Sequence, residues 1–283
     1  MKDIKTYNYI IREMRRFFQD EKGFIEVPTQ ARLSILAACE DPKTITQFIF
    51  NGINYPLPQT GQVWLEHELL TNPDVNGVFC VSTSYRNEPF PIEGRHDKIF
   101  PMFEFESKGD VEDLKNLEKE LVRFLGLKDE AAVVYYEDAC QKYNTDTLDA
   151  DHEEMLQKDF GNNVILEKFP QRSHPFWNMK QISDTLYNKV DVLLYGMETI
   201  GSAERSCDVE QMYNNFMSVS DGKYSQLLFS TFTKNRVMRE LETYLALPMF
   251  PRFGGGIGVT RMERAMKLAG IFRGHSRFHG SNE

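Results

Sequence analysis

The sequence predicts an α+β fold in which a largely antiparallel sheet is flanked by helices. Apolar residues recur at helical spacing near the N-terminus and again over residues 111–125. Other apolar runs come in pairs joined by short polar loops, as around Asn51-Gly52, a strong hairpin signal. Hairpins join antiparallel strands, and the helices cover the faces of the sheet. The length of 283 residues favours a single large domain over residues 1–283.

The first half of the chain begins with an amphipathic helix. Tyr7, Ile10, Met14 and Phe17 share one helical face, and Gly23 can end the helix. Alternating or apolar runs then predict strands at residues 24–27, 46–50, 53–55 and 78–81. A short helix is predicted at residues 64–70.

The second half continues with a helix over residues 111–125, which Gly126 ends. Residues 127–163 are richer in acidic and polar residues and are interpreted as a helical insertion with little catalytic signal. Further strands are predicted at residues 164–169, 176–180 and 190–195, and helices at residues 234–245 and 260–268.

Composition limits the classes of function. A net charge of −9 disfavours a broad nucleic-acid surface, because phosphate contacts need a basic one. The sequence has no apolar run of about 18 residues and no apolar signal core at its start, so neither a membrane partner nor secretion is expected. The four cysteines are scattered without a C-x-x-C pair, which indicates reduced thiols in a cytoplasmic protein.

The most informative stretch is a predicted strand, polar loop and strand over residues 85–106. It carries cations, an aromatic ring and carboxylates: Arg86, Glu88, Arg95, His96, Phe100 and Glu104. A guanidinium offers a planar fork of donors to a phosphate, and an aromatic ring can stack on a base. An ordinary surface hairpin with Arg–Glu salt bridges would explain the same residues, so both interpretations stay open here.

A glycine-rich run over residues 253–259 leads directly into Thr260 and Arg261. Gly256 and Gly258 would let the backbone approach a ligand closely, and Arg261 can point back at it from the next helix. The order of residues does not match a P-loop or a G-x-G-x-x-G fingerprint. A tight strand-to-helix turn is the alternative interpretation.

Two further groups lie between these stretches. Asp191 and Glu198 frame an apolar strand and turn, and such hard oxygen ligands suit Mg²⁺ that bridges phosphates. Arg205 follows a run of small residues and could bind a carboxylate or an amide. Taken singly, these residues are better explained as unrelated, solvated surface charges.

Together and in this order, the four groups resemble the catalytic core of class II aminoacyl-tRNA synthetases of the aspartate, asparagine and lysine subgroup. Residues 23–27 are similar to the first signature of that family, residues 85–104 to the second and residues 254–261 to the third. The likeness covers the chain except residues 127–163 and the tail after Ile271. It implies a class II synthetase-type antiparallel sheet, and a homodimer formed through the first signature.

The resemblance also implies how ATP would be bound. Arg86 would contact the α-phosphate and, with Arg261, form the catalytic pair. Phe100 would stack below the adenine and Glu88 would help to hold it, while Arg261 would stack above it or meet the γ-phosphate. The distal phosphates would be contacted by Arg95 and His96.

For the metal and the amino acid, the resemblance implies a second set of contacts. Asp191 and Glu198 would coordinate Mg²⁺, Glu104 would bind the substrate amino group, and Arg205 its side-chain oxygen. The segment that contains Gln62 and Glu66 resembles the corresponding segment of asparagine-type enzymes. In those enzymes a Gln approaches the substrate backbone and a Glu recognises the side-chain amide. Aspartate-type enzymes have a Lys where this chain has Leu65, and Glu66 would repel a free carboxylate. A solvent-facing Glu66 on a helix is the alternative.

The implied function is an ATP- and Mg²⁺-dependent ligase that adenylates an aspartate- or asparagine-like amino acid and passes the acyl group to ammonia or a small amine. The subgroup's anticodon-reading β-barrel has no room before Gly23, so no anticodon-binding domain is expected and tRNA is a possible but not a favoured partner. A truncated asparaginyl-tRNA synthetase is one alternative. A non-catalytic binding or regulatory protein with the same fold is another.

Overall fold

The computed structural model describes residues 3–29, 33–37, 42–95 and 97–274. The helices in these residues are α1 (Ile4–Arg15), α2 (Gln62–Thr71), α3 (Val111–Phe124), α4 (Tyr136–Tyr143), α5 (Ala150–Phe160), α6 (Val209–Ser218), α7 (Lys223–Phe232), α8 (Lys234–Leu245) and α9 (Val259–Leu268). The strands are β1 (Ile25–Glu26), β2 (Gln47–Phe50), β3 (Ile53–Pro56), β4 (Gly77–Tyr85), β5 (Ile99–Lys108), β6 (Ala132–Tyr135), β7 (Asn163–Pro170), β8 (Leu186–Leu194), β9 (Glu198–Arg205) and β10 (Arg252–Gly258).

The described strands form one eight-stranded sheet in the order β1-β4-β5-β10-β9-β8-β7-β6, with β2 and β3 as a separate hairpin. The inner pairs are antiparallel, whereas the two outer pairs, β1 with β4 and β6 with β7, are parallel. Asn51 and Gly52 both have positive φ in the β2–β3 turn, as an Asn-Gly hairpin requires. The predicted α+β fold with a largely antiparallel sheet is confirmed.

Alternation along β5 separates the core from the site. Phe103 and Phe105 are fully buried among α1, α3 and α9 on one face of the sheet. Glu104 and Glu106 lie between and after them, and side chains of successive residues in a strand point to opposite faces. Both carboxylates therefore lie on the opposite face, where they too are fully buried.

The helices of the core face follow from their apolar stripes. Asp3 caps α1 by accepting from the backbone N–H of Lys5 and Thr6, and Ile10 and Met14 are fully buried against α9 and the sheet. The helix continues as a π-helical segment over residues 16–21 before Gly23, whose φ is +68°. No helix in the described part of the chain is long and apolar enough to cross a lipid bilayer.

Two expectations from the sequence need correction. Residues 127–163 contain helices α4 and α5 as predicted, but they also contain β6, which extends the sheet beside β7. Residues 176–180 do not form a strand: Phe176 and Met179 close a turn, and Met179 makes only an isolated bridge to Arg205. This run is apolar because Trp177 is fully buried among α6, α7 and α8, not because it pairs within the sheet.

Candidate active site

The face of the sheet opposite the main core carries a cavity of about 270 Å³, the first cavity. Predicted residues from distant parts of the chain line it: Gln62, Arg86, Glu88, Arg95, Phe100, Glu104, Glu198, Gly256, Gly258 and Arg261. The fold thus brings the β4–β5 hairpin, the start of β9 and the glycine-rich run together. His96 lies outside the described residues.

Arg86 is held where β4 ends. Its backbone N–H donates to the carbonyl oxygen of Lys98 over 2.8 Å, which closes the base of the β4–β5 loop. Its guanidinium carbon lies 5.5 Å from the centroid of the Phe100 ring, a cation–π distance. A positive charge and an aromatic ring therefore lie side by side in the first cavity, and both are groups that can bind a nucleotide.

Arg261 approaches the same cavity from the other end of the sequence. It lies in the first turn of α9, where the helix adds a partial positive charge. Its Nη1 donates to the backbone oxygen of Glu198 over 2.7 Å and lies 3.7 Å from a carboxylate oxygen of the same residue. Glu198 thereby orients a guanidinium beside the cavity wall.

Two carboxylates converge above Gly201 on β9. A Cβ at Gly201 would lie 2.9 Å from Oε1 of Glu198 and 3.7 Å from Oδ1 of Asp191. Asp191 is buried; its Oδ2 accepts from Lys189 over 2.7 Å, and its Oδ1 has no hydrogen-bond partner among the described residues. The missing side chain at Gly201 leaves the space in which these oxygens face each other.

The electrostatics of this pair favour a bound cation. Burial raises the pKa of Asp191 to about 7, and the charge of Glu198 adds to the rise. For Glu198, burial is outweighed by the positive charges of Lys189 and the nearby guanidiniums, which lower its pKa. A divalent cation would relieve the repulsion and use the unpartnered Oδ1, so the residues fit Mg²⁺. In the described residues no three His, Cys, Asp or Glu side chains form a complete metal site, so phosphates and water would supply the other ligands.

Glu104 forms the floor of the first cavity and is fully buried. Its carboxylate accepts from the backbone N–H of Gly61 at 2.9 and 3.0 Å and from the hydroxyls of Thr60 and Ser82. These donors hold a negative charge at the position where an ammonium group is predicted to bind. Its contact with a substrate amino group stays a prediction.

A second cavity of about 590 Å³ adjoins the first. The two cavities share four lining residues: Gln62, Arg86, Glu198 and Gly201. The far wall of the second cavity contains Glu66 and Arg205, the two residues predicted to select the amino-acid side chain. Arg86 therefore lines both cavities at their junction.

Arg205, on the same wall of the second cavity as Glu66, is held by Glu106. Its Nε and Nη2 donate to one oxygen of Glu106 over 3.0 and 2.5 Å, and Nη2 also donates to Oε1 of Gln62 over 3.1 Å. Burial raises the pKa of Glu106 to about 8, although the guanidinium of Arg205 opposes the rise. A Cβ at Gly254 would lie only 2.0 Å from the carboxyl carbon of Glu106, so this glycine makes the room for the pair.

Glu66 is fully buried, so the alternative of a solvent-facing residue is wrong. Arg252 donates to its Oε2 from Nη2 at 2.7 Å and from Nε at 3.0 Å, and the Tyr244 hydroxyl donates over 2.6 Å. Asn178 donates to Oε1 over 2.6 Å, and Nε of Arg205 lies 3.8 Å away. Glu66 is thus ion-paired rather than an isolated negative charge.

Four residues of this region were not assigned from the sequence: Glu106, Glu153, Tyr244 and Arg252. Glu106 had a signal in the sequence that could have identified it, because it lies two residues after Glu104 and therefore on the same face of the predicted strand. Arg252 had a weaker one, as a charged residue that begins a buried glycine-rich strand. Nothing local marked Glu153 on α5, which accepts from the backbone N–H of Glu198 over 2.8 Å.

Comparison with known proteins agrees with this geometry. Residues 1–270 match the family described as tRNA synthetases class II (D, K and N). The chain belongs to this family. The class II architecture accounts for the antiparallel sheet, for the hairpin that carries Arg86 and for the glycine-rich strand before Arg261.

Solved structures of class II synthetases share the fold. Asparaginyl-tRNA synthetase from Pyrococcus horikoshii complexed with asparaginyl-adenylate has a TM-score of 0.75 at 20% identity, over 93% of this chain and 64% of its own. The Entamoeba histolytica asparaginyl-tRNA synthetase in complex with asparaginyl-adenylate gives 0.72 at 18%, over 94% and 63%. Aspartyl-tRNA synthetase from Entamoeba histolytica gives 0.68 at 18%, over 92% and 54%. The present chain spans less than two thirds of each of these proteins.

Proposed function

We propose that this protein is an ATP- and Mg²⁺-dependent ligase that adenylates an aspartate-like amino acid and passes the acyl group to ammonia or a small amine. The observation that supports this most directly is the junction of the two cavities at Gln62, Arg86, Glu198 and Gly201. A nucleotide in the first cavity and an amino acid in the second would meet there, with the α-phosphate and a carboxylate beside the same guanidinium.

The reaction follows from that meeting point. A carboxylate oxygen of the amino acid attacks the α-phosphorus, the bond from that phosphorus to the bridging oxygen breaks, and pyrophosphate leaves. Arg86 and Arg261 stabilise the charge that develops on the phosphate oxygens, and the cavity holds the two reactants in line. No covalent intermediate with the protein is needed. In the second step an amine attacks the acyl carbon and AMP leaves.

Asp191 and Glu198 would hold the magnesium ion. When bound, Mg²⁺ neutralises phosphate charge and orients the polyphosphate. The side chains themselves contribute in a second way, because Glu198 orients Arg261 through its backbone oxygen. Lys189, which donates to Asp191, limits the negative charge that the two carboxylates present together.

The charge at the far end of the second cavity suits an acid. Glu66 and Arg252 cancel each other, and so do Glu106 and Arg205 when all four are ionised. Burial favours the neutral form of Glu106 and raises its pKa to about 8, so the charge of Glu106 is the one that gives way when a ligand carboxylate approaches Arg205. Aspartate can then place its α-carboxylate at Arg205 while its side-chain carboxylate reacts, which reverses the orientation that the family resemblance implies. From the sequence, Glu66 was expected to repel a free carboxylate of the substrate. Its ion pair with Arg252 neutralises most of the charge that would cause this repulsion.

The acceptor and the assembly complete the proposal. The net charge of −9 supports a small acceptor over a long nucleic acid. With ammonia, attack on a side-chain aspartyl adenylate gives asparagine.

We also propose a homodimer through the region of β1, where Ile25 is half exposed at an edge of the sheet. Light scattering on the purified protein tests the dimer.

The ligase is tested by incubating the protein with ATP, Mg²⁺, aspartate and ¹⁵N-ammonium, followed by mass spectrometry of the amino acids. The proposal predicts ¹⁵N-labelled asparagine and an equal amount of AMP, both absent with Arg86→Ala. AMP formation without labelled asparagine at every ammonium concentration tested would contradict ammonia as the acyl acceptor.

A second candidate is a tRNA-charging enzyme, and one observation favours it. Glu66 lies at the wall of the second cavity within 3.8 Å of Arg205, a position from which it could read the amide of asparagine. The same reaction mixture with total tRNA and radiolabelled asparagine separates the two functions. Acid-precipitable label on tRNA would support charging, whereas its absence together with labelled asparagine from ammonium would support the ligase.

A further inference from the structure

The segment 127–163 reaches the candidate active site through helix α5. Gly196, in the β8–β9 turn, has a φ of +71°, and a Cβ there would lie 2.7 Å from Oε1 of Gln157 and 3.3 Å from the Cα of Glu154. A residue with a side chain would push the helix away from the turn. Gly196 therefore allows α5 to pack directly beside the residues that precede β9.

This packing delivers the carboxylate of Glu153 to two predicted site residues at once. Its Oε2 accepts from the backbone N–H of Glu198 over 2.8 Å and from Nη2 of Arg95 over 2.5 Å. The side chains of Glu153 and Arg95 are only 18% and 12% exposed. An ion pair with so little solvent contact is screened far less than an ordinary surface pair.

The contact matters because of where Arg95 comes from. It belongs to the β4–β5 loop, where Glu93, Gly94 and Asp97 are exposed to solvent. A free arginine side chain carries about 2 kcal/mol of rotamer entropy, which a ligand would otherwise have to overcome. Glu153 already restricts Arg95 at the wall of the first cavity, and it also fixes the backbone from which the Glu198 carboxylate projects.

We propose that Glu153 is a positioning residue for the polyphosphate end of the nucleotide site. It orders Arg95 and the start of β9, so ATP and pyrophosphate bind to a site whose cation and carboxylate are already in place. This inference rests on the proposed function, since it assumes that the first cavity binds ATP. Residues 127–163, in which no catalytic pattern was found, would thus contribute to the nucleotide site.

The test compares Glu153→Gln with Glu154→Gln, its exposed neighbour on the same helix. Glutamine keeps an oxygen for the N–H of Glu198 and removes the charge that holds Arg95. For Glu153→Gln we expect the Kd for ATP·Mg²⁺ and the KM for ATP to rise about three- to tenfold, the size of coupling within one ion-pair network, while kcat changes less than about twofold. Glu154→Gln should match the wild type in both constants.

A double-mutant cycle with Arg95→Ala separates positioning from simple destabilisation. If Glu153 acts through Arg95, adding Glu153→Gln to Arg95→Ala causes no further rise in the Kd for ATP. Equal ATP affinity in Glu153→Gln and wild type, tighter binding in Glu153→Gln, or additive losses in the double variant would each overturn the inference. A wild-type protein that binds no ATP would overturn the proposed function instead, and calorimetry with ATP·Mg²⁺ shows this before any variant is made.

Discussion

Replacing Gly254 by alanine tests the packing that holds the substrate end of the site. The new Cβ would lie 2.0 Å from the carboxyl carbon of Glu106 and 2.1 and 2.4 Å from its oxygens. Glu106 is fully buried and one of its oxygens accepts two hydrogen bonds from Arg205, so the side chain cannot move away without losing them. The variant must either break the buried ion pair or shift the strands apart.

The magnitude follows from those two routes. Breaking a buried pair costs about 3–5 kcal/mol, and overpacking a core costs about 1–3 kcal/mol, so the free energy of unfolding should fall by about 3 kcal/mol. Gly258→Ala is the matched control in the same strand. There the nearest atom, Cδ of Arg261, would lie at 3.5 Å, an ordinary contact, and we expect a loss of about 1 kcal/mol or less.

Urea unfolding followed by circular dichroism measures both variants. We expect a clearly lower urea midpoint for Gly254→Ala than for Gly258→Ala, at equal slope. Of the Gly254→Ala protein that remains folded, we expect a raised KM for the amino acid, because Arg205 is displaced with Glu106. Free energies of unfolding within about 0.5 kcal/mol of each other would refute the packing argument.

Two further predictions concern buried carboxyl groups. Burial raises the pKa of Glu118 on α3 from its ordinary 4.5 to about 8, so its contribution to stability is complete below pH 4.5 and is lost as the pH rises through 8. The free energy of unfolding of Glu118→Gln, relative to that of the wild type, should therefore increase by on the order of 4 kcal/mol between pH 5 and pH 9. Free energies from urea titrations that change in parallel with pH in the two proteins would contradict this. Asp191→Asn should raise the Mg²⁺ concentration for half-maximal activity about tenfold or more, and an unchanged Mg²⁺ titration would remove Asp191 from the metal site.

Local patterns were enough to predict much of the fold. The helix predicted at residues 234–245 is α8 with the same bounds, because its apolar stripe and its position after Thr233 are local features. The β2–β3 hairpin was likewise predicted by Asn51-Gly52. The apolar run around Trp177 was misread as a strand, since a short apolar run buried among helices has the same composition as a strand.

Some residues of the candidate site could likewise be predicted from the sequence, whereas others could not. Arg86, Arg261 and Gly256 were predicted because the motifs that carry them, taken together and in order, resemble a known family, although each motif alone was ambiguous. The pairs Glu66–Arg252 and Glu106–Arg205 join residues 186 and 99 positions apart, so no local pattern could reveal them. Glu153 is a similar case, because its place depends on how α5 packs against the β8–β9 turn.

The most direct test of the account is pyrophosphate exchange into ATP across a panel of amino acids, with wild type, Arg86→Ala and Arg261→Ala. We expect exchange that depends on aspartate or asparagine, and a loss of about 10²–10³-fold in each variant, as for removal of one donor to a developing charge. Both variants should unfold at the same urea concentration as the wild type. Exchange that persists at the wild-type rate in either variant would contradict a single site built between these two guanidinium groups.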